Sequence, residues 1–133
     1  MSIIQHIALN CRDMKKQVKF YSKHFGFKLA RVFNAGKPDE FIMLRSGQTC
    51  LELFQADRKA AKARGWEQPV GFKHLAFEVG NVKRSVARLR KDGIQTDDII
   101  DCSKLVPGLY VCFFNDPDGN RLELMQGWRD EKK

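Results

Sequence analysis

Close-set cysteines are missing from this sequence. Its four cysteines, Cys11, Cys50, Cys102 and Cys112, form no CxxC pair and no zinc-finger spacing. That excludes a small zinc module and leaves free thiols, the state expected of a cytoplasmic protein. Long apolar runs are missing too. None approaches the roughly 18–20 residues that span a bilayer, so no membrane association is expected. The opening MSIIQHIALN lacks the basic start and small-residue cleavage site of a secretory signal, and none is expected. Aromatic and basic residues do not interleave as they do on base-stacking platforms, which argues against nucleic acid despite a formal net charge of +8. The lysines and arginines lie mostly in MKKQVKFYSKH, DRKAAKARG and VKRSVARLRK, at polar positions of helical patterns or in a linker, and read as solvated faces. Hydrophobic residues at 43% and charged residues at 30% of 133 describe a globular chain of one domain, residues 1–133.

What the sequence has is repetition. Residues 50–55 read CLELFQ and residues 121–126 read RLELMQ. Upstream of each lies a histidine strand, QHIALNC or KHLAFEV. His6 aligns with His74, Ala8 with Ala76, Asp13 with Asn81 and Val18 with Val86, each pair 68 positions apart, while Glu52 and Glu123 are 71 apart. The chain is therefore an internal duplication. Each half reads as an alternating strand followed by a helix. Asp13 or Asn81 caps the helix, and Gly26 or Gly93 ends it. Apolar stripes are expected at Met14/Val18/Tyr21/Phe25 and Val82/Val86/Leu89. Three strands follow, at about 27–34, 40–46 and 49–56 in the first half and 94–102, 108–115 and 120–126 in the second. The expected fold is α+β, with two tandem βαβββ modules forming a curved mixed sheet around a metal cavity. Module 1 covers about 3–56 and module 2 about 72–127. The linker is 57–71, with Trp66 expected to pin it down, and 128–133 form a tail.

Strand alternation then assigns faces. Ile7 and Leu9, Leu75 and Phe77, and the leucines of LELFQ and LELMQ point toward the helices. His6, Asn10, His74, Glu78, Glu52, Phe54, Glu123 and Met125 point the other way. A glutamate among leucines is costly unless its charge is compensated. Two imidazoles and two carboxylates in matching phase, His6, Glu52, His74 and Glu123, form a candidate divalent-metal site with positions left for substrate. Phe54 and Met125 are expected to supply apolar walls.

Paired βαβββ modules with His and Glu on equivalent strands resemble the vicinal oxygen chelate superfamily, the glyoxalase/bleomycin resistance/dioxygenase group. The resemblance covers about residues 3–127 and is carried by QHIALNCRDMKKQVKFYSKHFGFKL, FKHLAFEVGNV and FFNDPDGNRLEL. Within the group, the His-Glu-His-Glu set is most similar to short bacterial glyoxalase I, or lactoylglutathione lyase. The epimerases usually carry Gln where Glu52 stands, the dioxygenases and fosfomycin enzymes use three ligands, and the bleomycin binders lack them. Some positions depart from the glyoxalase pattern. Asn10 and Ala56 replace an Arg and an Asn, and SKLVPG, with Lys104, stands in for Lys-Gly-Gly.

The resemblance implies a metal-dependent lyase or isomerase that converts a hemithioacetal, or a related enolisable substrate, through a metal-bound enediolate. The ion would be Ni²⁺, Co²⁺, Zn²⁺ or Mn²⁺, with glutathione or another thiol as co-substrate. Glu123 is the expected base and Glu52 its partner by pseudo-symmetry. Asn10, Lys104 and Tyr110 join Phe54 and Met125 as expected substrate contacts. A homodimer is implied. The rival expectations are another metal enzyme of the group, an epimerase or dioxygenase, and a metal-free drug-binding protein.

Overall fold

Each helix begins where the chain leaves a histidine strand and meets a cap. The computed structural model describes residues 1–67 and 69–131; the side chain of Trp66, and with it the expected pinning of the linker, lies outside the described residues. Asp13 and Asn81 adopt extended backbone, and their side chains accept from the amides of Lys16 and Arg84. They open α1 (Met14–Phe25) and α2 (Val82–Lys91). The Lys16 amide, together with Arg58 at 3.2 Å, holds the Asp13 carboxyl below its ordinary range. Gly26 closes α1 in left-handed backbone, φ 69°. Asp92 caps α2, one residue earlier than expected, and Gly93 follows at φ 81°.

A second bond holds each helix start. The Oε1 of Gln55 accepts from the Met14 amide at 2.9 Å, and the Oε1 of Gln126 accepts from the Val82 amide at 2.6 Å. The caps leave these first amides unsatisfied, so the glutamine ending each repeated strand supplies the partner. Gln55→Ala and Gln126→Ala are each expected to lower stability by about 1–2 kcal/mol in equilibrium denaturation. Gln126→Glu, which keeps the acceptor, should lose less, whereas Gln55→Glu should not, because the Gln55 Nε2 also donates to the carbonyls of Cys11, Arg12 and Ala56.

α1 buries Met14, Gln17, Phe20 and Tyr21, and Val18 is only half-buried. The buried stripe is thus rotated from the expected one. α2 buries Val82, Val86 and Leu89, as the spacing predicts. The lysines of α1 and the lysines and arginines of α2 are exposed.

The strands are β1 (His6–Cys11), β2 (Lys28–Phe33), β3 (Phe41–Ser46), β4 (Thr49–Gln55), β5 (Leu75–Glu78), β6 (Ile100–Asp101), β7 (Tyr110–Asn115) and β8 (Arg121–Gln126). The βαβββ repeat is present twice, in two mixed four-stranded sheets ordered β1-β4-β3-β2 and β5-β8-β7-β6. In each, the first strand runs parallel to the last and the other pairings are antiparallel. The chain gathers into two compact units, 1–62 and 63–133. Leu44, Leu51, Leu53 and Tyr21 are buried in the first, and Val82, Val86, Phe114, Leu122 and Leu124 in the second. The strand expected over 94–102 shrinks to β6 and one bridge, Thr96 to Phe114. Asp97 and Asp98 interrupt it, since aspartate suits a strand poorly, and the Asp97 carboxylate is engaged by Arg121.

No helix among the described residues is long and apolar enough to cross a membrane.

Candidate functional site

Register carries each histidine to its glutamate. Ala8 pairs with Glu52 and Ala76 with Glu123 across the two parallel ladders. The histidine two positions earlier lies on the same sheet face, diagonal to the carboxylate. In the first unit His6 Nε2 lies 3.8 Å from Glu52 Oε1. In the second His74, one residue ahead of β5, places Nε2 2.7 Å from Glu123 Oε2. The His74 ring packs edge-on against Phe113 at 5.4 Å. The Glu123 side chain is only 9% exposed and that of Glu52 19%. Their leucine neighbours, Leu51, Leu53, Leu122 and Leu124, are buried on the opposite face.

Gln5, ahead of β1, brings its Oε1 to 2.5 Å from His6 Nδ1, and its Nε2 donates to Cys50 Sγ at 3.7 Å. Cys11, Cys50 and Cys112 are buried free thiols. Desolvation pushes the Cys112 thiol up, away from the reactive thiolate form.

The donor chemistry fits a divalent ion. Each unit offers one imidazole nitrogen and one carboxylate oxygen at separations near those of neighbouring ligands on one ion, about 3 Å for bonds of about 2.0–2.2 Å. Among the described residues no group of three or more His, Cys, Asp or Glu gathers at one point, so what the structure displays is two two-donor half-sites.

The other expected site residues fall in different places. Asn10 and Phe54 pair with each other on the His6 and Glu52 face. Met125 pairs with Glu78 and Val111 on the Glu123 face. Lys104 is exposed in the turn between β6 and β7. Tyr110 pairs with Gln126 and shares its strand phase with buried Cys112 and Phe114, opposite Phe113 and Glu123.

Sequence reasoning missed two features. Phe54 stacks on Phe41 at 4.8 Å, and Phe41 stacks on Phe33 at 4.5 Å, an aromatic ladder beside Glu52. The hairpin register joining β2 to β3 is the signal that could have found it. Arg121, two residues before Glu123 on the same face, lays its guanidinium over the Phe113 ring at 5.4 Å and pairs with Asp97 and Asn115. The RLEL spacing itself pointed to it.

The family model for the Glyoxalase/Bleomycin resistance protein/Dioxygenase superfamily matches residues 3–124. This chain belongs to that superfamily. As a member, it is similar to the uncharacterized protein YwkD of Bacillus subtilis, 32% identical over 92% of this chain and 95% of the relative. A glyoxalase family protein of Enterococcus faecalis has a similar crystal structure, with TM-score 0.76 and 32% identity over 92% of this chain and 96% of that one. The glyoxalase I of Leishmania major, described as trypanothione-dependent, has TM-score 0.74 and 26% identity over 96% of this chain and 88% of that one. Within the superfamily, the two half-sites are the parts of this chain on which its chemistry can be argued.

Proposed function

We propose that this superfamily member is a metal-dependent enzyme of the glyoxalase I type, a lyase or isomerase acting on the hemithioacetal formed by a thiol and a 2-oxoaldehyde. The observation that carries the reading is the matched pair of His–Glu contacts, set at the same register in both sheets, on the face turned away from the helices. In this reading His6, Glu52, His74 and Glu123 are the protein ligands of a divalent ion. The protein works as a cytoplasmic homodimer on a small molecule. The likeness to a glyoxalase I at 26% identity supports the substrate class without specifying the thiol.

A divalent ion held by these residues supplies Lewis acidity, offsetting negative charge that develops on a substrate oxygen when the adjacent carbon is deprotonated. The residues of the chain do the rest. In this reading Glu123, shielded from water on β8, accepts a proton from carbon and returns it to the neighbouring carbon. His74, whose Nε2 lies 2.7 Å from that carboxylate, would hold the ion beside it. Phe54, with Phe41 and Phe33 behind it, presents an apolar wall that excludes water beside Glu52. Asn10, directly across from Phe54, offers an amide to the polar end of the substrate.

The test is hemithioacetal isomerisation by apo-protein reconstituted separately with Ni²⁺, Co²⁺ and Zn²⁺, using methylglyoxal with glutathione and then with other thiols. Metal-dependent turnover that disappears in His74→Ala is the expected result. A protein that retains the ion yet turns over none of these adducts would overturn the glyoxalase assignment.

A further inference from the structure

The two half-sites are not copies of each other. At His74 the 2.7 Å contact to Glu123 is a hydrogen bond, and an ionised carboxylate only accepts. The Nε2 of His74 therefore carries a proton in that contact. At His6 the corresponding distance is 3.8 Å, beyond hydrogen-bond reach. On the other side of the His6 ring, Nδ1 meets the Oε1 of Gln5 at 2.5 Å. An amide oxygen cannot donate, so Nδ1 must. The Gln5 amide is oriented in turn by its Nε2, which reaches the buried Cys50 sulfur.

We infer that Gln5 is a positioning residue that fixes His6 as the Nδ1–H tautomer, leaving the Nε2 lone pair turned to Glu52 and ready for a metal ion. The inference rests on the proposed metal role of His6, but the tautomer itself does not need the metal. A second partner that fixes ring tautomer and orientation is a general device of metal-ligating histidines. The duplication sharpens the point. The residue that aligns with Gln5 is Lys73, whose ammonium can only donate and so cannot hold an Nδ1–H. The repeat thus places an acceptor beside one histidine and a donor beside the other. In this arrangement His6 offers its lone pair at once, while His74 exchanges its bond to Glu123 for the ion.

Two readouts test this. In metal-free protein, ¹⁵N shifts of the His6 ring should report Nδ1–H in the wild type and in Gln5→Glu, and a tautomer mixture or Nε2–H in Gln5→Ala. Zn²⁺ affinity, measured by competition with a chromophoric chelator, should fall about 10–100-fold in Gln5→Ala and recover in Gln5→Glu. Nε2–H on His6 in the wild type, or an unchanged tautomer in Gln5→Ala, would overturn the inference. So would a Zn²⁺ affinity unaltered by Gln5→Ala. If wild-type protein takes up no Zn²⁺ while its tautomer follows Gln5, the metal reading falls and the positioning role stands.

Discussion

Glu123→Gln is expected to lower turnover of the hemithioacetal by a factor of about 10²–10⁴ while the protein keeps most of its metal. The amide has the shape of the carboxylate and still offers an oxygen, but it has no charge with which to accept a proton from carbon. Glu123 is the better shielded of the two candidate bases, and His74 holds it at hydrogen-bond distance. The substitution therefore separates holding the ion from moving the proton. Rate measurements paired with metal content are the check. Turnover that survives with the ion bound would remove Glu123 as the base and transfer that role to Glu52. Loss of metal together with turnover would make Glu123 a ligand first.

Tyr21→Ala should cost about 3–5 kcal/mol of stability, the range for deleting a large buried ring. Tyr21 is fully buried on α1, with the rings of Phe20, Phe25 and Phe27 at 5.1, 6.0 and 6.0 Å. Its carbonyl accepts from the Phe27 amide where the helix ends. The truncation thus opens a cavity at the point where α1 meets the start of β2. Chemical denaturation measures the loss, and Tyr21→Phe, which keeps the ring, should retain most of the stability. A change below about 1 kcal/mol would mean that the aromatic cluster repacks around the gap.

Much of this could be read from the residues because local chemistry and period agree. Asp13 and Asn81 cap helices because a short side-chain acceptor ahead of an amphipathic stretch has one stable use. His6 meets Glu52, and His74 meets Glu123, because strand alternation is strict and the repeat doubles the signal. Features that depend on a partner distant in sequence were not legible. Gln55 and Gln126 end their strands in the repeat, yet their task appears only once parallel pairing brings them to a helix start. The face that Tyr110 takes is decided only by its register with β8. Which ring nitrogen of His6 meets Gln5 is likewise a matter of side-chain geometry that the residue order does not state.

The parallel ladders also bear on how the chain folds. Their strands are remote in sequence: the Gln55 bond to the Cys11 carbonyl and the Gln126 bond to the Val82 amide each close 44 residues. Closing a loop of that length costs about 3 kcal/mol in chain entropy before any contact rewards it. The helices and hairpins of each unit are local and can form early, whereas β1 with β4, and β5 with β8, belong to the slow, non-local part of folding. His6 and Glu52 lie 46 residues apart, and His74 and Glu123 lie 49 apart, across the same ladders. An ion gripping both would clamp the loop shut, so metal added during refolding should act on the ladder that the chain finds hardest to close.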